Sequence, residues 1–389
     1  MRLLLAAALA PAVCFSIRFA LADHYFRADT LESVRQAIGL APGNTRYLLR
    51  LARLEPTNPN PLEQAVRENP HAAAARIELG LRAEGARQHL SAEAHLLEAA
   101  RMDAGFLPRW TLANFYLRRG RQPQFWHWIR EASRMSFGDS TALNQLCWRI
   151  RPDPDWLLEH VIADKPESLY WHYYFLLAQD QIPAAGRALL RLAAHNRPQD
   201  GAEVPAFCER ALEAQRTKAA IEVWNRSIDG GLLGFRKLDP ARGESLTNPG
   251  FATRPTSRGF DWRLPSASGV TVAWPAAGGL IVEFDGRQKD HCEILSQILP
   301  LARGRRYRLR YRYEIEPAAA TGLRWRLDGP RAETSRSIGA GTEGTFEFDA
   351  PADRDAARLI LGYERELATT RWEGRLRLER VELALIVLP

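Results

Sequence analysis

The sequence predicts an α plus β multidomain protein: an N-terminal α-solenoid of helical hairpins followed by an antiparallel β-sandwich or jelly roll. Three observations predict it. Residues 29–237 are rich in Ala and Leu, carry apolar residues at helical spacing and contain no convincing strand. Small residues recur there with a period near 33–34, the mark of a hairpin array. After Leu246-Thr247-Asn248-Pro249-Gly250-Phe251 the pattern changes to short alternating strands between Gly and Pro turns.

A chain of 389 residues supports two or three domains, each with its own core. The net charge of +7 comes mainly from Arg spread through both halves. That balance favours anionic partners such as phospholipid or acidic glycan, while the lack of a recognition motif or concentrated basic stripe argues against nucleic acid. Cys147, Cys208 and Cys292 are far apart, without CxxC or Cys/His ligand spacing, and read as small buried hydrophobes.

The N-terminus reads as an export signal. Met1-Arg2 precede an uncharged run over 3–17, and Ala20-Leu21-Ala22 before Asp23 fits the small-x-small rule for cleavage. Residues 3–22 also have the length of a membrane span, with Arg18 placed to snorkel. Residues 1–22 are therefore a signal peptide or a signal anchor, and the two readings stand as equals. Either places the rest of the chain outside the cytoplasm, in the periplasm or attached to the inner membrane.

Within the helical region, Gly80, Ala92 and Ala99 lie at offsets of 12 and 19, and Ala65, Ala99 and Ala132 follow at spacings of 34 and 33. Leu112-Ala113 with Tyr116, and Cys208 with Ala220 and Trp224, continue the pattern. Asn58-Pro59 and Asn69-Pro70 mark hairpin ends, because Asn-Pro stops one helix and permits the next. On these residues the region 45–235 resembles tetratricopeptide repeats. That resemblance implies stacked hairpins whose groove binds a protein partner. Phe125, Trp128 and Ile129 share one helical face and read as core, leaving Trp126 and His127 as candidate groove residues.

Asp239-Pro240-Ala241-Arg242-Gly243 breaks the helical pattern, so 238–245 reads as a linker and 246–389 as the β domain. Strands are expected at 270–273, 280–284, 293–299, 307–315, 323–327, 344–348, 358–363 and 375–387. Over 307–313 the residues Tyr307, Leu309, Tyr311 and Tyr313 fall on one face and Arg308, Arg310 and Arg312 on the other. Such a strand has one buried and one wet face. Whether the Arg face is merely solvated or a glycan platform is left open.

Leu246, Asn248, Phe251 and Trp262, with Tyr307, Leu309 and Tyr313, resemble the order of features in bacterial carbohydrate-binding modules of jelly-roll type. The chain is also similar to uncharacterised exported proteins of envelope polysaccharide gene neighbourhoods. It shares Gly259-Phe260-Asp261-Trp262-Arg263, Tyr363-Glu364-Arg365 and Thr369-Thr370-Arg371 with them. A sugar site needs an aromatic plate and planar polar groups. Trp262 is the first candidate plate, and Trp274, Trp325 and Trp372 are others. Arg263, Arg287, Gln288, Glu364, Arg365 and Arg371 are candidate polar partners, suited to hydroxyls and uronate carboxylates. Against this stand a Trp262 packed under the sheet and a purely structural ion-pair network around Glu364, Arg365 and Arg371.

No nucleophile elbow, zinc-protease, P-loop or dinucleotide motif is present, so no catalytic residue, metal ligand or cofactor is assigned. The expected function is that of a non-catalytic envelope scaffold. Its repeats bind a protein partner, and its sandwich binds a glycan or envelope component, in polysaccharide assembly or export. One alternative is a purely structural protein whose sandwich docks on the repeats. A glycan-cleaving hydrolase is disfavoured, because the central strands carry Arg308, Arg310, Arg312, Arg324 and Arg326 where acids belong.

Overall fold

A computed structural model describes residues 2–195, 197–275, 278–317, 322–328, 335–339 and 341–386. The chain divides into two compact units, Met1–Ala163 and Asp164–Pro389.

The first unit is helical. It contains α1 (Arg2–Arg27), α2 (Leu31–Leu40), α3 (Thr45–Leu54), α4 (Asn60–Glu68), α5 (Ala73–Gly85), α6 (His89–Met102), α7 (Phe106–Arg118), α8 (Gln122–Met135), α9 (Thr141–Ile150) and α10 (Pro154–His160). Consecutive helices pair as tetratricopeptide-type hairpins, with α1 on α2, α3 on α4, α5 on α6 and α7 on α8. The reason lies in the small residues. A Cβ on Gly80 would sit 2.7 Å from Leu96 Cγ and 3.3 Å from the Ala92 carbonyl, so α5 and α6 touch at a point only glycine allows. Ala92, Ala99, Ala113 and Ala132 are all fully buried, as the repeat spacing predicts. Local chemistry sets the helix starts: Thr30 and Ser33 form a reciprocal cap on α2, Asn44 caps α3 and Asp153 caps α10. Helix α1 continues past Ala22, and that residue is buried against Ala37, Ala41 and Tyr47. Among the described residues no helix is long and apolar enough to cross a membrane.

The second unit joins helices to strands. It holds α11 (Pro166–Ala178), α12 (Ile182–Ala193), α13 (Glu203–Glu213) and α14 (Thr217–Asp229). Gly186 repeats the role of Gly80: a Cβ there would meet Phe207 Cζ at 2.9 Å. The strands that follow are β1 (Val270–Ala273), β2 (Leu280–Asp285), β3 (His291–Pro300), β4 (Arg306–Glu316), β5 (Leu323–Leu327), β6 (Ser335–Ser337), β7 (Glu343–Asp349), β8 (Ala356–Glu364) and β9 (Glu373–Leu385). They form an antiparallel sandwich of two sheets, ordered β1-β2-β9-β4-β7 and β3-β8-β5-β6. The eight expected strands are all present. The residue 387 assigned to the last of them lies outside the described residues. Strand β6 was not expected, because Ser335-Arg336-Ser337 carries no apolar alternation; it exists by pairing with the edge of β5.

The core between the sheets follows from period two. Tyr307, Leu309, Tyr311 and Tyr313 point inward from β4, and Leu376, Leu378 and Val381 do so from β9. Trp262 and Trp325 fill the space between the sheets with ring centroids 6.3 Å apart.

The segment read as a linker is packed. Asn225 on α14 exchanges two 2.8 Å hydrogen bonds with the backbone of Leu238, and Tyr307 Oη donates to the Pro240 carbonyl at 3.0 Å. Beyond it, Phe260 packs edge-on to Trp224 of α14 at 5.5 Å, and Phe235 stacks on the same indole at 5.1 Å. Gly259 takes a left-handed turn beside them, where a Cβ would be 2.9 Å from Trp224. The sandwich and the last helices thus share one body.

Candidate functional site

In the first unit, the first helix of each hairpin forms a row. Arg118 at the end of α7 grips Glu84 at the end of α5 through two hydrogen bonds, Nε to Oε1 at 2.8 Å and Nη2 to Oε2 at 2.7 Å. One turn before this bidentate pair stand Asn114 on α7 and Leu81 on α5. Leu107 and Trp110 extend the same stripe of α7 toward its start, at helical spacing from Asn114. Leu107 is 56% exposed and Leu81 39%, and Trp110 is half-buried in a stack with Phe106 at 5.6 Å. Asn114 Nδ2 donates to the Trp110 carbonyl at 2.8 Å, which fixes the amide and leaves its oxygen as an acceptor. The result is a solvent-facing apolar strip on rigid helices with polar groups at one end.

The candidate groove residues Trp126 and His127 stand apart from this row, because they lie on α8, a second helix. Trp126 is half-buried edge-on against Trp156 of α10 at 4.8 Å. Trp156 in turn carries His160 on one side and the Arg151 guanidinium at 4.1 Å. His127 is exposed beside Trp128. Phe125 and Ile129 are core as expected, but Trp128 is only partly covered. The outward positions of the row follow the repeat. Asn114 follows Ala113 as Leu81 follows Gly80, since the residue after the close-packed small position turns outward.

The glycan candidates do not converge. Trp262 is fully buried, with its indole N–H bonded to the Asn248 carbonyl at 3.1 Å, so it cannot serve as a plate for a sugar. Gln288 is buried too, donating to the Trp372 carbonyl at 2.7 Å; this removes it from any solvent-facing set. Trp325 and Trp372 are core residues, while Trp274 is partly exposed. Arg365 and Arg371 both bind Asp290, at 3.0 and 3.1 Å, and these guanidinium groups hold its carboxyl below the usual range against the opposing effect of burial. Glu364 pairs with Arg324 at 3.0 Å. Arg287 is exposed at the turn after β2.

Arg263 lies in a different place, a cleft of about 640 Å³ between the α13–α14 turn and the ends of β3, β5 and β8. Its Nη2 reaches Glu209 at 3.3 Å and the Gly259 carbonyl at 2.9 Å. Burial lowers its pKa, partly offset by Glu209, and its Nη1 is buried with no hydrogen-bond partner among the described residues. Arg303 is held by Asp355 and Arg358 by Glu293. The cleft can accept a polar ligand that offers an acceptor to Arg263. Of its acids, Glu209 faces Arg263, Glu213 faces Arg210 and Asp355 is paired with Arg303.

No protein-family model matches the chain, and no curated protein does. Solved structures give partial likenesses. The enzymatically active domain of tailspike protein 4 of bacteriophage CBA120 is 15% identical with a TM-score of 0.29, over 38% of this chain and 22% of that one. YrrB, a TPR protein with an unusual peptide-binding site, is 13% identical with a TM-score of 0.24, over 43% of this chain and 91% of its own. PilF of Pseudomonas aeruginosa is 13% identical with a TM-score of 0.25, over 54% and 88%.

Proposed function

We propose that the protein is a non-catalytic scaffold whose first-helix row binds a segment of a protein partner. The observation that carries this is the strip of exposed Leu81 and Leu107 with half-buried Trp110, ending at Asn114 and the Glu84–Arg118 pair. Apolar side chains held on rigid helices gain by desolvation when a segment docks, and they lose little entropy in doing so. The polar end supplies orientation.

The second unit is the arm that contacts a glycan or another envelope component, outside the cytoplasm, in polysaccharide assembly or export. Its exposed guanidinium groups at Arg287, Arg365 and Arg371 and the Arg263 cleft support this reading. The Trp224–Phe260 contact holds that arm to its helices and leaves these groups open.

The helical part of the proposal is tested by selecting a phage-displayed peptide library on the full chain. The selected peptides are expected to bind at least ~10-fold more weakly to the Leu107→Glu/Trp110→Ala variant, as befits loss of an aromatic anchor. Circular dichroism should be unchanged. Peptides that bind both proteins equally would place the partner surface elsewhere.

A further inference from the structure

We propose that the outer face of the five-stranded sheet, together with the chain that leads into it and Arg336 on β6 at the edge of the other sheet, is a binding trough for an acidic, carboxylate-bearing polysaccharide. This inference concerns the second unit alone and holds or fails independently of the helical partner.

Strand β4 turns Arg306, Arg308, Arg310 and Arg312 outward at every second position, roughly 7 Å apart. Most of this charge is neutralised across the sheet. Arg308 pairs with Glu347 at 2.7 Å and Arg312 with Glu343 at 3.2 Å. The pattern breaks at Arg310, whose cross-strand neighbours are Thr345 and Glu382. Glu382 is taken by Arg380. Among the described residues, Arg310 therefore has no ion pair.

Two recesses of about 480 and 570 Å³ meet at this point, and both are lined by Arg310, Arg380 and Glu382. One runs toward Arg236 and Arg242, the other toward Arg312 and Arg336. Together they carry eight basic side chains against three acidic ones, which fixes the sign of the ligand. Arg236 and Arg336 are exposed and, among the described residues, also without an ion pair. Unpaired guanidinium groups thus stand in the middle and toward each side of a continuous trough. A single small anion cannot satisfy all three, whereas a chain with repeated carboxylates can.

The wall of the trough is preformed. Gly243 sits in a left-handed turn against the Leu385 backbone, and the bond from Tyr307 to Pro240 fixes the segment before it. The chemistry of the lining selects among polyanions. Its one aromatic side chain, Tyr311, is buried, so bases of a nucleic acid find no stacking platform. Leu246, Leu383 and Leu385 pack against the core, so no apolar anchor faces a bilayer.

Titration calorimetry of the full chain with polygalacturonate, neutral dextran and phosphatidylglycerol vesicles tests the proposal. Binding to polygalacturonate alone is expected, weakened by added salt. The Arg310→Ala/Arg336→Ala variant, which alters only exposed side chains, is expected to bind at least about tenfold more weakly, the effect of losing one charge-assisted contact. Failure to bind polygalacturonate, equal affinity for dextran or for the vesicles, or an unchanged affinity in the variant each overturns it.

Discussion

Replacing Trp224 by Ala is expected to lower the unfolding free energy of the second unit by about 3–5 kcal/mol. The indole is fully buried on α14, between Phe235 and the edge of Phe260, and it closes on the backbone of Gly259. Truncation removes the transfer free energy of the ring. It also leaves a void that two aromatic rings and a glycine held in a tight turn cannot collapse to fill. Urea unfolding, followed by circular dichroism, measures the change. A loss below ~1 kcal/mol, the level of a surface substitution, would mean that this contact does not hold helices and sandwich together.

The second expected result is a pH dependence set by His172. This side chain is fully buried on α11, and burial pushes its pKa from 6.5 down to about 3. The folded state keeps the imidazole neutral, while the unfolded chain takes up a proton once the pH falls below 6.5. The stability tied to the neutral ring is therefore complete above pH 6.5 and is lost progressively as the pH falls toward 3. The limiting slope is ~1.4 kcal/mol per pH unit, so the second unit is roughly 2 kcal/mol less stable at pH 4.5 than at 6.5. Urea melts of the wild type and of His172→Leu at both pH values provide the check. The variant should lose that part of the slope. Identical slopes in the two proteins would assign the acid sensitivity to other groups.

Much of the fold was legible because its signals are local. The spacing of Gly80, Ala92 and Ala99 reports where two helices touch, and the alternation over 307–313 reports which face of β4 is wet. The candidate site was less legible, because the residues that mark a sugar plate are also the best fillers of a sandwich core. Trp262 carries the right chemistry and is consumed by packing against Trp325 and Phe251. Gln288 is fixed by Trp372, a partner 84 positions away that no local pattern reveals. Pro240 and Gly243 mark 238–245 as a linker, but its clamping by Asn225 and Tyr307 rests on contacts that again span distant parts of the chain. Conversely, the Arg face of β4 was visible as a pattern, but the one position where its neutralisation fails, Arg310, emerges only from strand register.

The proposed role of the first unit is to hold a protein partner on its first-helix row. A photo-crosslinking side chain placed at position 107 tests it most directly, with position 90 as control. Leu90 is more exposed than Leu107, 83% against 56%, but lies at the start of the second helix α6. A covalent adduct with a discrete protein is expected from position 107 and none from position 90. Adducts of equal yield from both positions, or from position 90 alone, would contradict it.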